Sequence, residues 1–260
     1  MSTASIIGLM AAASVTLAGG TANAEQGAVL PSEPVCRGVQ ADTTVPTELI
    51  CKADSAVVTI PSEPAWHVHR VSKAEAASAR SAKMPVLESL FGKQAENVAR
   101  FNRIDSRFVY WGTRLRVPEL PEGVTYSPMP LAYPASADKD EFILVALDVQ
   151  FLGVYERGQL VASYPISSGK EDYLTPAGNF KVNRKCPDCK SSLYPEPDGG
   201  APMPWGLRFL WSSYWIHGGD LVGGPASHGC VRMFAKDAEA LYNRTPVGTA
   251  VKVVKSLADL

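Results

Sequence analysis

Cys230 ends the run Ser227-His228-Gly229-Cys230, and a second histidine stands upstream in Ile216-His217-Gly218-Gly219. The attacking species in cysteine chemistry is the thiolate. A neighbouring imidazolium or a set of exposed backbone N–H groups draws the thiol pKa down from about 8.5. Gly229 lets the chain approach closely, and the N–H groups of 229 and 230 are candidates to face the oxyanion that forms when sulfur attacks a carbonyl. Either His217 or His228 can serve as general base and later as acid toward a leaving amine. The reaction class these residues describe is acyl transfer through a thioester. The plain alternative is a buried structural cysteine.

The elements that must hold these residues are those of a folded, mostly β protein. The chain has 260 residues, 46% hydrophobic and 20% charged, a balance that excludes a disordered polymer. A net charge of −1 gives no electrostatic case for nucleic acid. Twenty prolines and 21 glycines imply many turns. Residues 1–24 read as an export signal, with an apolar run over 6–18 and the small-x-small site Ala22-Asn23-Ala24, though no Lys or Arg precedes the run. The run is too short to span a bilayer comfortably, so no transmembrane segment is expected after cleavage.

Export makes the cysteines interpretable. Cys36 with Cys51 and Cys186 with Cys189 are expected to close as local disulfides, leaving Cys230 as the odd thiol. Cys186-Pro-Asp-Cys189 lacks a second CxxC and a strand-to-helix setting, which argues against a zinc or redox centre and for a staple. No metal site is expected.

Residues 25–64 are rich in Pro, Ser, Thr and Ala and read as a linker. Residues 65–118 read as a small module of strand, helix, helix and strand. Its first helix is announced by the capping box Ser72-Lys73-Ala74-Glu75, and Leu115-Arg116-Val117 closes it. Residues 119–140 read as a second linker. From 141 to 260 the pattern changes to strands. Residues 142–147 are a continuous apolar run that can be buried on both faces, followed by a hairpin return with Leu160, Ala162, Tyr164 and Ile166 alternating. Further strands are expected near 179–182, 214–217 and 250–254, and a short amphipathic helix over 237–242. No strand–helix alternation supports a parallel doubly wound sheet, so the class is mainly β, sandwich- or barrel-like and mostly antiparallel. The segment from Cys186 through Pro204 reads as an insertion, with Trp205, Trp211 and Trp215 as core residues or a lid.

The catalytic block resembles the L,D-transpeptidase (YkuD-type) family. The resemblance is carried by Ile216-His217-Gly218 and by residues 226–233, Ala-Ser-His-Gly-Cys-Val-Arg-Met. Supporting pieces stand in family order: Pro165 to Gly169, Thr175-Pro176-Ala177-Gly178-Asn179-Phe180, Asp237-Ala238 and residues 248–253. The module at 65–118 resembles a LysM domain without its usual opening turn. The resemblance implies attack by Cys230 on the L,D peptide bond of a tetrapeptide stem of peptidoglycan. A D-amino acid leaves, and a second amine resolves the acyl-enzyme into a 3→3 crosslink. It implies His217 as base and acid, the Gly218 carbonyl as its orienter, and His228 and Gly229 as site lining and oxyanion hole. It implies no metal or organic cofactor, an extracytoplasmic or periplasmic place of work, and wall-synthesis proteins as possible partners. Ser227 and Arg232 are candidates for substrate contact, Ser227 as a shaping hydrogen bonder and Arg232 toward a carboxylate. Two other outcomes fit the same residues: a cysteine hydrolase with water as acceptor, and a wall-binding scaffold with an idle site.

Overall fold

Local sequence signals decide where the elements begin and end. The computed structural model describes residues 47–50, 58–121, 123–194, 199–211 and 213–260. The expected export signal and the Cys36–Cys51 pair lie outside them. Strands β1 (Thr47–Ile50) and β2 (Val58–Pro61) pair as an antiparallel hairpin within the stretch expected to be linker, and Ile60 packs against the core of the large sheet described below.

The module follows the expected order with one helix more. Strand β3 (Trp66–Arg70) leads into α1 (Lys73–Ser81), α2 (Val86–Phe91) and α3 (Ala95–Asn102), and β4 (Arg114–Pro118) returns antiparallel to β3. Ser72 caps α1 reciprocally. Its hydroxyl accepts from the Glu75 N–H at 3.2 Å, and its own N–H donates to Glu75 Oε2 at 2.8 Å. Val71, Leu87, Val98, Ile104 and Leu115 form the module's own core.

The second expected linker is largely structure. Met129 is fully buried, Tyr133 is nearly so, and Tyr133 N–H bonds to the Gly158 carbonyl. The reason lies in the strand they cover. Strand β5 (Phe142–Ala146) is buried at every position. Ile143 and Val145 face one core, while Phe142, Leu144 and Ala146 face a second core closed by Met129 and Tyr133. A strand that is apolar on both faces needs a cover on each side.

The remaining strands are β6 (Phe151–Glu156), β7 (Gln159–Ser167), β8 (Gly178–Lys181), β9 (Arg184–Lys190), β10 (Pro202–Leu210), β11 (Tyr214–Gly218), β12 (Val231–Met233) and β13 (Ala250–Val254), with helix α4 (Ala235–Arg244) between the last two. With β5 they form a nine-stranded sheet of order β8-β13-β5-β6-β7-β12-β11-β10-β9. It is mostly antiparallel, with parallel pairs at β11–β12 and β13–β5. It curls so that Asn183, just past β8, donates its N–H to the Arg208 carbonyl on β10 at 2.8 Å. The stretch read as an insertion is the edge hairpin β9–β10. Pro202 and Pro204 are tolerated because pairing with β11 begins only at Leu207. Helix α4 lays Ala238 and Leu241 against Leu207 and Ile216, which seals one face of β10 and β11 and leaves the other face open. No helix among the described residues is long and apolar enough to cross a membrane.

Candidate active site

Strand alternation brings Cys230 and His217 to one face. In the parallel pair β11–β12, Ile216 lies opposite Val231 and His217 opposite Arg232. Ile216 and Val231 point into the core, so their neighbours Trp215, His217, Cys230 and Arg232 point the other way. All four line a cleft of about 1210 Å³. Cys230 sits one residue before β12, half-buried, and the Trp215 backbone N–H is directed at its sulfur.

The turn that presents Cys230 is held from below. Gly229 has φ +112°, and a Cβ there would stand 2.6 Å from Tyr214 Cε1, so only glycine fits. Ser227 is buried, and its hydroxyl accepts from Gly229 N–H at 3.0 Å while donating to the Cys230 carbonyl. Thr175 Oγ1 donates to the Gly229 carbonyl at 2.8 Å and accepts from Gly169 N–H at 2.9 Å. The Ser168 carbonyl takes the N–H groups of Ala226 and Ser227, and the Gln150 side chain clamps Ser168 from both sides, accepting from its N–H at 2.9 Å and donating to its hydroxyl at 2.7 Å.

The Gly229 N–H is donated to the Ser227 hydroxyl, and the Cys230 N–H is the other backbone donor that the sequence offers to an oxyanion. Ser227 lines the cleft with its hydroxyl engaged inside the turn, where it shapes the backbone around Cys230. Thr175 and Gln150 were not singled out from sequence as site residues. Thr175 lay inside a quoted motif, whereas a lone buried glutamine leaves no pattern to read.

The two histidines separate cleanly. His217 is 5% exposed, and its Nδ1 lies 2.7 Å from the Gly218 carbonyl. A carbonyl only accepts, so Nδ1 carries the proton and Nε2 keeps a lone pair. Burial drives its pKa down to about 4, with Arg232 adding to the effect. Burial likewise pushes the Cys230 thiol up, against the pull of the Trp215 N–H and of Arg232. Histidine and thiol therefore rest uncharged at neutral pH, where the sequence suggested a thiolate beside an imidazolium. His228 is exposed and held between rings, stacked on Tyr194 at 4.3 Å and edge-on to Tyr173 at 4.6 Å. It is a wall of the cleft.

Arg232 lies opposite His217, its stem against Gly219, and meets no protein acceptor among the described residues. Asp105 and Arg107 of the module reach the same cleft, where Arg107 bonds Asp105 at 2.8 Å and Asp220 at 2.8 Å. Cys186 and Cys189 are joined as a disulfide on β9. Among the described residues no group of three or more His, Cys, Asp or Glu is arranged to hold a metal ion.

The family model for the YkuD L,D-transpeptidase catalytic domain matches residues 140–253, which include His217, the Cys230 turn and Arg232. The chain is 30% identical over 128 residues to "Putative L,D-transpeptidase YqjB" of Bacillus subtilis, covering 44% of this chain and 71% of that protein. The chain belongs to the YkuD-type L,D-transpeptidase family. It is 37% identical over 115 residues to "Putative L,D-transpeptidase YkuD" of Bacillus licheniformis, covering 43% of this chain and 64% of that relative's length. Among solved structures it is similar to the L,D-transpeptidase from Xylanimonas cellulosilytica, with a TM-score of 0.47 and 22% identity over 75% of this chain and 100% of that one. It is also similar to the L,D-transpeptidase catalytic domain from E. faecium, with a TM-score of 0.39 and 29% identity over 45% of this chain and 98% of that one. The family model's match falls within the second half of the chain, where the sheet and the Cys230 turn are built.

Proposed function

We propose that this YkuD-type protein is an extracytoplasmic L,D-transpeptidase acting on peptidoglycan stem peptides through a Cys230 thioester. The observation that carries the reading is the placement of Cys230 and His217 on one face of β11–β12, with Nδ1–H locked to Gly218 and Nε2 left as the base. As Cys230 Sγ attacks the carbonyl of the L,D bond, its proton passes to Nε2. The pair starts neutral, so transfer accompanies attack. The Cys230 N–H, just past the positive-φ Gly229, is the backbone donor best placed for the oxyanion. Collapse breaks the C–N bond, and the imidazolium returns its proton to the departing amine of the D-residue. A second amine then attacks the thioester, gives a proton to Nε2, and releases the thiol with the new amide.

Intact-mass analysis tests the reading. Incubation with a tetrapeptide stem should add the mass of the acyl tripeptide to the wild type and nothing to Cys230→Ala. Adding an amine acceptor should yield crosslinked product. If the tripeptide acid accumulates instead, the enzyme is a hydrolase. If no adduct forms while iodoacetamide still alkylates Cys230, the site does not act on stems.

A further inference from the structure

The cleft has a second charged station, on the hairpin β9–β10. Arg184 lies directly opposite Arg208, and Arg208 directly opposite Trp215. Carried one strand further, the same row reaches Cys230. All four side chains line the cleft.

Arg208 is fixed in place. Its Nε donates to Asn183 Oδ1 at 2.6 Å, and its guanidinium lies over Trp215 at 5.7 Å and over Trp211 at 5.3 Å. Trp211 is 79% exposed, an arrangement that burial of apolar surface does not explain. Nη1 and Nη2 of Arg208 meet no protein acceptor among the described residues, and neither does the Arg184 guanidinium. Asp188, four residues along β9 on the same face as Arg184, makes no ion pair with either of them among the described residues. Like charges directly opposite on paired strands repel. Two facing arginines, one of them braced on three sides with a free fork, are arranged for an anion to bridge them.

Spacing sets where that anion sits. Adjacent strands lie about 4.8 Å apart, so two steps from β12 to β10 put Arg208 about 10 Å from Cys230. That is about the length of three extended residues. Resting on the donor assigned above, we infer that Arg208, with Arg184, is a carboxylate subsite that reads an internal carboxylate of the acyl-donor peptide and so determines donor specificity. The anions of such a peptide are carboxylates, which a guanidinium fork engages with two parallel hydrogen bonds.

The test compares two tetrapeptide stems, both with a free C-terminal carboxylate: one with its internal carboxylates free, the other with them amidated. Single-turnover acylation is followed by intact mass for the full chain and for Arg208→Gln, Arg208→Lys and Arg184→Gln. The expected result is a fall of about 10- to 100-fold in the rate ratio, free over amidated, for Arg208→Gln, with Lys recovering part and Arg184→Gln losing less. A change that slows both donors equally would show a merely structural arginine and overturns the subsite, as does an unchanged ratio. If the wild type is acylated by neither donor although iodoacetamide alkylates Cys230, the proposed function itself fails and this subsite falls with it.

Discussion

At the scale of single residues, the proposed chemistry turns on two groups that burial keeps uncharged. His217 titrates near 4 because its ring is walled off from water, and the Cys230 thiol is raised for the same reason. Acylation by a stem peptide should therefore hold level from about pH 5 to 8 and fall only as His217 takes a proton near 4. A single-turnover pH profile checks this, and an inflection near 6.5 would show instead an ordinary imidazole. The same depressed pKa couples to stability. Between pH 6.5 and 4 the unfolded chain binds a proton that the folded chain refuses, so stability drops as pH falls through that window, by about 3 kcal/mol at full amplitude. Urea denaturation at pH 7.5 and pH 4 should show that component in the wild type and lack it in His217→Gln. Cys230 and His217 were legible in the sequence because nucleophile, base and glycines lie close along the chain. Their charge state was not, since it depends on how the distant strand β7, helix α4 and hairpin β9–β10 close around them.

At the scale of elements, the turn that presents Cys230 is held by the segment after β7. Thr175 is the junction, its single oxygen accepting from Gly169 and donating to Gly229. Thr175→Val keeps the shape but leaves a buried N–H and a buried carbonyl without partners, at about 1–3 kcal/mol each. Thr175→Val should lower the urea midpoint and slow acylation at least tenfold through a displaced Gly229 peptide, while Thr175→Ser should recover most of both. Equal kinetics in Val and Ser variants would show that the hydroxyl does not position the turn. Gly229→Ala is a harsher probe. Its Cβ meets Tyr214 at 2.6 Å and its φ is positive, so a loss of about 1–3 kcal/mol and of nearly all acylation is expected. Strands with strong alternation or continuous apolar runs, β5, β7 and β13, were legible. The hairpin β9–β10 was not, because Pro202, Pro204 and Gly206 disguise a strand whose apolar Met203, Leu207 and Phe209 do alternate into the core. The cover over β5 was missed because Met129 and Tyr133 are isolated apolar residues in a Pro-rich stretch with no period to reveal them.

At the scale of the whole molecule, the module is bonded to the loop after β11 and is not a tethered accessory. Ile104 makes a β-bridge with Val222, Asp105 N–H donates to the Leu221 carbonyl at 2.8 Å, and Gly223 N–H donates to the Arg103 carbonyl at 2.9 Å. The loop between His217 and Ser227 is thus pinned by backbone bonds to the segment after α3. Arg103 adds a bond to the Val149 carbonyl at 3.0 Å and lies over Phe151. These partners stand far apart along the chain, so no local pattern announces them. The most consequential is Arg100, which meets Asp237 on α4 at 2.6 Å where the Asp237 side chain is only 5% exposed. Burial lifts the Asp237 pKa against the pull of Arg100, and its Oδ2 has no hydrogen-bond partner. Removing the arginine strands a buried carboxylate, and Arg100→Met should cost about 3–5 kcal/mol at pH 7. The cost should shrink as pH falls, because the stranded Asp237 escapes its penalty by taking up a proton that the unfolded chain binds less tightly. Arg100→Met with Asp237→Leu should regain most of the loss, since two apolar groups replace a pair that had to be desolvated. In calorimetry the wild type should unfold in one transition, module and sheet together. Two separate transitions, or a double variant no more stable than Arg100→Met alone, would show that this ion pair does not join them.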